Sequence, residues 1–153
     1  MTETIGACDL VRGVSRALTD ADHSVLTELA LGNGRRADVV AIDRAGAVIL
    51  VEVKSCRADF VADRKWQEYL AYCDRFYFAV GPDFPRAFLP SEEGLILADR
   101  FGGEIICAAQ LRALSPARRK AMLIPFGRTA ASRLQTLTDP QAAAPFPLAM
   151  LDR

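Results

Sequence analysis

An apolar stretch that carries three charges constrains the fold more than any other feature of this chain. Residues 36–43 and 47–54 are both rich in Val, Ile, Leu and Ala, as strands are, and a short turn separates them. Asp38 lies near the start of the first segment, whereas Glu52 and Lys54 end the second. Burying charge in a sheet is costly unless the charges pair or bind a metal. The stretch therefore predicts a β-hairpin with a polar site at one end.

The pairing of these two strands determines which charges meet. Side chains two residues apart in a strand point to the same face, so Glu52 and Lys54 share a face. Asp38 lies on the neighbouring strand and, across a short turn, pairs near Glu52 or Lys54 to within a residue or two. The sequence predicts that two carboxylates and one ammonium group converge at one edge of the sheet.

Such a group of side chains is suited to a divalent cation. Asp38, Glu52 and a backbone carbonyl beside them would offer the hard oxygen ligands that Mg²⁺, or Mn²⁺ in its place, prefers. The ion would neutralise charge on a phosphate and lower the pKa of a bound water, while Lys54 would position that water or steady the phosphate. The alternative is a structural ion-pair cluster at the sheet edge.

The pattern around the hairpin predicts a mixed sheet. Apolar residues at helical spacing predict a helix over residues 5–18, and a strand follows over 23–31. The Gly-Asn-Gly turn after that strand would complete an antiparallel meander. Residues 58–73 predict a helix with a broad apolar stripe, and 75–80 a buried strand. A helix between two buried strands favours a parallel crossover.

The C-terminal third predicts further strands and one helix. Residues 94–98 and 104–109 have strand character. Ser115 followed by Pro116 is typical of a helix start, and we expect a break in that helix near Pro125.

Size and composition favour one domain. The 153 residues, 51% of them apolar, suffice for one core, expected over residues 1–137, with a weakly structured tail over 138–153. The formal net charge is zero, so no global basic field indicates nucleic acid. A secretory signal and a membrane-length apolar run of ~20 residues are both lacking, which predicts a cytoplasmic protein without membrane contact. A single histidine and four scattered cysteines argue against structural zinc.

The order of these motifs resembles that of the PD-(D/E)XK nuclease superfamily, in which an Asp is followed on a neighbouring strand by Glu-x-Lys and then by a helix. Asp38 and Glu52-Val53-Lys54 match that order. A more specific resemblance, over about residues 5–110, is to the MmcB-like bacterial DNA repair proteins. The matching segments are Leu26-Thr27-Glu28-Leu29, Gly34-Arg35-Arg36-Ala37-Asp38, Val51-Glu52-Val53-Lys54-Ser55 and Asp63-Arg64-Lys65-Trp66-Gln67-Glu68-Tyr69.

The resemblance implies a restriction-endonuclease-like α/β fold, a mixed β-sheet with an antiparallel meander flanked by helices. It implies a metal-dependent DNA endonuclease of DNA repair, in which Asp38 and Glu52 bind the ion, Val53 lends its carbonyl and Lys54 assists catalysis. The alternative is a catalytically inactive DNA-binding or partner-recruiting module. DNA is the expected partner of both, and the neutral net charge leaves room for a repair-protein partner or a homodimer to supply affinity.

Three charged residues before or at the start of the hairpin each have two interpretations. Glu28, on the first strand, would either point at the same metal or form a salt bridge with Arg35 or Arg36. Arg35 and Arg36 would either grip DNA phosphate or serve a solvated turn and internal pairs.

Charged residues after the hairpin have two interpretations as well. Lys65, Arg118 and Arg119 would contact the DNA backbone or occupy solvated helix faces. Asp63 is interpreted as a charge that suits a helix N-terminus, and Tyr69 as a core residue.

Overall fold

The computed structural model describes residues 4–143, and its first half is a helix followed by an antiparallel meander. Helix α1 (Ala7–Asp20) precedes strands β1 (Ser24–Ala30), β2 (Arg36–Ile42) and β3 (Val48–Lys54). β1 pairs antiparallel with β2, and β2 pairs antiparallel with β3. The meander predicted from the alternating pattern and the two short turns is therefore confirmed.

The crossover after β3 is parallel as predicted, but its helix is broken. Helix α2 (Arg57–Ala62) is followed by a 3₁₀ helix (Trp66–Tyr72) and by β4 (Arg75–Val80), which pairs parallel with β3. The single helix predicted over residues 58–73 is wrong because Asp63 leaves the helical region, with φ −87° and ψ 89°. Its side chain accepts the backbone N–H of Lys65 instead, which forms a local turn.

The sheet is completed by two strands in the order β1-β2-β3-β4-β5-β6. A short 3₁₀ turn (Arg86–Phe88) leads to β5 (Gly94–Ala98), parallel to β4, and β6 (Gly103–Cys107) is antiparallel to β5. The sheet is thus mixed, with helices on both faces, which confirms the coarse α/β prediction.

Helix α3 (Pro116–Thr138) begins as predicted but does not break. The Ser115 hydroxyl caps the helix by accepting the N–H of Arg118, and Pro116 occupies the first helical position. Pro125 lies within the helix, and the carbonyl that loses its partner belongs to Ala121, an exposed position that water reaches. A last 3₁₀ helix (Pro140–Ala143) lies in the tail predicted to be weakly structured, and residues 144–153 lie outside the described residues.

The two faces of the sheet carry different cores. One face packs against α1 through an aliphatic cluster that includes Leu10, Val14 and Val51. The other face is aromatic, and Trp66 of the 3₁₀ helix stacks on Phe76 with ring centroids 5.7 Å apart. All seven residues of β3 are buried, so the side chains on its aromatic face, Glu52 and Lys54 among them, are sequestered from water.

A buried aspartate joins the end of the crossover to α3. Asp74, 2% exposed, accepts the N–H groups of Val48 and Leu114, and both of its oxygens bind the guanidinium of Arg119. Burial alone would raise the pKa of Asp74, but the hydrogen bonds from Arg119 and the two backbone N–H groups outweigh it and lower the pKa. Arg119 therefore connects α3 to the sheet.

Candidate catalytic site

The register of the meander places Asp38 across from Glu52. Val39 pairs with Val51, and the next positions outward are Asp38 and Glu52. The backbone pairing of β2 with β3 ends near Asp38, and a side-chain hydrogen bond follows it: Asp38 Oδ2 accepts the N–H of Val53 at 2.8 Å. The carbonyl of Val53 lies on the same side of β3 as its N–H, facing β2. The expected convergence of Asp38 with the end of β3 is therefore confirmed.

Glu52 is a buried carboxylate that is satisfied at one oxygen only. The residue is 7% exposed, and its Oε1 lies 3.4 Å from Lys54 Nζ. Its Oε2 is the one buried side-chain oxygen or nitrogen that no donor reaches among residues 4–143, while the Glu52 carboxyl lies within hydrogen-bonding reach of the Asp38 carboxyl. Burial, reinforced by the charge of Asp38, raises the pKa of Glu52 to about 7. Burial also raises the pKa of Asp38, against the Val53 hydrogen bond and the charge of Lys54.

Lys54 is held mainly by a residue that the sequence interpretation placed elsewhere. Its Nζ lies 2.9 Å from Asp63 Oδ2, closer than it lies to Glu52. Burial would raise the pKa of Asp63, but the hydrogen bonds from Lys54 and from the Lys65 N–H outweigh it and lower the pKa. Asp63 is thus an ion-pair partner, and its interpretation as a helix N-terminal charge is wrong, since it follows the last residue of α2. The sequence feature that could have indicated this pair is the position of Asp63 in the crossover connection, which starts directly after Lys54.

Glu28 lies beside this cluster, and its charge contributes to raising the pKa of Asp38. The residues that flank it pair with those that flank Asp38, so the two lie opposite each other on β1 and β2. Its backbone has a φ of 52°, unusual for a residue with a side chain, and Arg133 of α3 donates to its carbonyl at 3.0 Å. The Glu28 carboxylate is 64% exposed and lies 3.8 Å from Arg36, so the predicted salt bridge forms, and a metal-binding role for Glu28 stays a prediction.

The five predicted DNA-contacting residues differ in how free they are. Arg35 pairs with Asp63 and Glu68, and Arg119 binds Asp74, so both guanidinium groups make internal contacts. The other three, Arg36, Lys65 and Arg118, lie at exposed positions. Arg118 also lies 5.6 Å from the ring centre of Tyr72. Contact of any of the five with DNA stays a prediction.

The donor set can be compared with what a divalent ion requires. No group of three or more His, Cys, Asp and Glu side chains in metal-binding arrangement occurs within residues 4–143. The site offers two carboxylates, from Asp38 and Glu52, and the adjacent Val53 carbonyl. Mg²⁺ is commonly bound through one or two carboxylates and several waters, so this set fits it. The unpartnered Oε2 of Glu52 is the atom that such an ion would satisfy.

The fold and the site define a class: an α/β protein with a mixed sheet and a buried carboxylate–lysine cluster at the end of its central strand. The family model described as "DNA repair protein MmcB-like" matches residues 3–141. The chain therefore belongs to the MmcB-like family, and this membership indicates a role in DNA repair.

A solved structure shares the architecture. It is described as the SPO1766 protein of unknown function from Silicibacter pomeroyi and is 42% identical to this chain, with a TM-score of 0.89. The match covers 92% of this chain and 96% of that one. No curated protein sequence matches. Between residues 4 and 143, no helix combines the length and the hydropathy of a membrane span.

Proposed function

We propose that this protein is a metal-dependent DNA endonuclease that acts in DNA repair, with a restriction-endonuclease-like arrangement of its site. One observation carries the proposal: Glu52 and Asp38 bring two buried carboxyl groups within hydrogen-bonding reach of each other, and no donor of the described residues reaches Glu52 Oε2. A fold that serves stability alone gains nothing from this arrangement, because two adjacent buried carboxyl groups cost free energy when they ionise. A cation-binding role explains why the arrangement persists.

Asp38, Glu52 and the Val53 carbonyl would hold Mg²⁺ or Mn²⁺. The bound ion would neutralise charge that develops on a DNA phosphate and lower the pKa of a water molecule. Hydrolysis then forms one P–O bond to the water oxygen and breaks the P–O bond to the leaving sugar oxygen, which takes up a proton. Lys54 Nζ donates a hydrogen bond to the phosphate or to the attacking water and so stabilises the transition state. Asp38 also fixes the end of β3, through the N–H of Val53.

Cleavage assays with purified protein test the proposal directly. Branched, nicked, mismatched and single-stranded DNA are incubated with Mg²⁺ or Mn²⁺, and product formation is compared among variants. We expect Glu52→Gln and Lys54→Met to lower kcat by about 100-fold or more, the size typical of removing one electrostatic or acid–base group. Asp59→Asn is the matched control, since Asp59 is an exposed carboxylate that contacts Ser55. Cleavage that persists in both variants, or the absence of cleavage of every substrate, refutes the proposed nuclease activity.

A second candidate function is a DNA-binding or partner-recruiting module without cleavage. It is favoured by the engagement of the cations near the site, because Lys54 and Arg35 already pair with carboxylates of this chain. Binding that needs no divalent ion and whose affinity falls steeply with salt supports this candidate over the nuclease. Metal-dependent product formation excludes it.

A further inference from the structure

We propose that Asp63 is a positioning residue that keeps the Lys54 ammonium at the site when the carboxylates hold a cation. This inference rests on the proposed function. Lys54 has two carboxylate neighbours, Asp63 at 2.9 Å and Glu52 at 3.4 Å. Both side chains of the Lys54–Asp63 pair are largely buried, 7% and 13% exposed respectively. Ion pairs with so little water around them are screened weakly, so the closer carboxylate dominates where the ammonium lies.

Asp63 is itself held in place from the opposite side. Its Oδ1 accepts the backbone N–H of Lys65 at 3.1 Å and lies 3.4 Å from Arg35, which leaves Oδ2 for Lys54. Arg35 is fixed in turn by Glu68 at 3.1 Å and by the ring of Tyr69, whose centre is 4.9 Å from the guanidinium carbon. The break in the crossover helix is the backbone change that turns Asp63 toward the end of β3.

The Lys54 ammonium and a bound cation would compete for the Glu52 carboxylate, and Asp63 reduces that competition. A cation bound by Glu52 repels an ammonium on the same carboxylate, and a lysine side chain with four rotatable bonds would move away. Asp63 binds the same ammonium through a carboxylate that is not one of the proposed cation ligands. Without Asp63, Lys54 has only Glu52 as a partner and competes with the cation for it.

A double-mutant cycle on Mn²⁺ affinity tests this inference without relying on cleavage. Mn²⁺ alone is titrated into the wild-type chain, Asp63→Asn, Lys54→Met and the double variant, with binding followed by calorimetry or by the spin resonance of free Mn²⁺. We expect Asp63→Asn to weaken binding about 3- to 10-fold. We expect Lys54→Met to tighten binding about tenfold in the Asp63→Asn background and less than about threefold in the wild type. Asp59→Asn, which removes an equal charge from α2, should change affinity by less than about twofold.

Each outcome has a definite meaning. Equal effects of Lys54→Met in both backgrounds show that Asp63 acts only as a distant charge, and this overturns the inference while leaving the nuclease proposal intact. Failure of the wild-type chain to bind Mn²⁺ refutes the metal site and this inference with it. Should Asp63→Asn not fold, Arg35→Met replaces it, because this variant keeps the Asp63 carboxylate but removes the guanidinium that pairs with it. In that background Lys54→Met should tighten Mn²⁺ binding more than it does in the wild type, and equal effects in the two backgrounds also overturn the inference.

Discussion

Replacing Glu52 by Gln should stabilise the protein at alkaline pH when no divalent ion is present. The pKa of Glu52 is about 7 in the fold and 4.5 ordinarily, because burial and the charge of Asp38 disfavour ionisation. A carboxyl whose pKa is raised by folding contributes stability below pH 4.5 and loses it as pH rises through 7. At about 1.4 kcal/mol per pH unit, the loss is about 3 kcal/mol between pH 4.5 and 8.

The assay is urea unfolding in EDTA, followed through the fluorescence of Trp66, the single tryptophan of the chain. At pH 8 the Glu52→Gln midpoint should lie about 1–2 M above that of the wild type, for a urea slope of about 2 kcal/mol/M. At pH 5 the gap should shrink to about 0.5 M or less, because Glu52 is then protonated in the fold and pH 5 is only just above its ordinary pKa of 4.5. Glu104→Gln is the control, since Glu104 is exposed on β6, and its difference from the wild type should not change with pH.

Mn²⁺ at about 100 times its Kd should close most of this gap at pH 8. A ligand at 100 times its Kd stabilises the state that binds it by about 2.7 kcal/mol, and only the wild type retains both carboxylates. Wild-type and Glu52→Gln curves that stay parallel from pH 5 to pH 8 in EDTA would refute the buried-acid argument, and with it the observation on which the proposed function rests.

Three further predictions concern the fold around the site. Gly13→Ala should unfold the protein or destabilise it by more than about 2 kcal/mol, because an added Cβ would lie 1.8 Å from a backbone oxygen. Gly127→Ala in α3 is the contrast, since its Cβ would meet no atom within 4 Å, and it should raise stability by about 0.5–1 kcal/mol. Thermal melts measure both changes. Asp74→Ala should cost about 3 kcal/mol in urea, since it leaves the Arg119 guanidinium and two backbone N–H groups without their acceptor, and a loss below about 1 kcal/mol would contradict that role. Cys73 should resist a thiol reagent that labels the other three cysteines of the native protein, because burial raises the pKa of its thiol to about 12, and four labelled thiols would refute this.

The antiparallel part of the site could be predicted from sequence because local rules determine it. A side-chain period of two and a short turn fix the register of β2 on β3, and that register alone brings Asp38 to Glu52. The parallel strand β4 followed from a buried segment after a connection of crossover length. These are short-range patterns, and tertiary contacts did not override them.

The remaining parts of the site depend on contacts between distant residues. The apolar stripe over residues 58–73 continues through the break at Asp63, so periodicity alone shows one helix and hides the partner of Lys54. Arg119 belongs to a run of basic residues typical of a surface, and its buried partner Asp74 lies 45 positions earlier. Glu28 was expected near the metal or in a salt bridge, and the contact that describes it is with the neighbouring Arg36.

The hydrogen bonds from Arg133 to the backbone at Thr27 and Glu28 have a consequence for truncated forms of the chain. Arg133 is in the final third of α3, more than a hundred residues from the carbonyls of Thr27 and Glu28 that it binds. A protein trimmed to end before residue 133 would keep every strand yet lose the Arg133 hydrogen bonds to the outer edge strand opposite Asp38. The C-terminal helix is therefore an integral brace of that edge, and natural or engineered truncations that remove it should be judged as changes to the site itself.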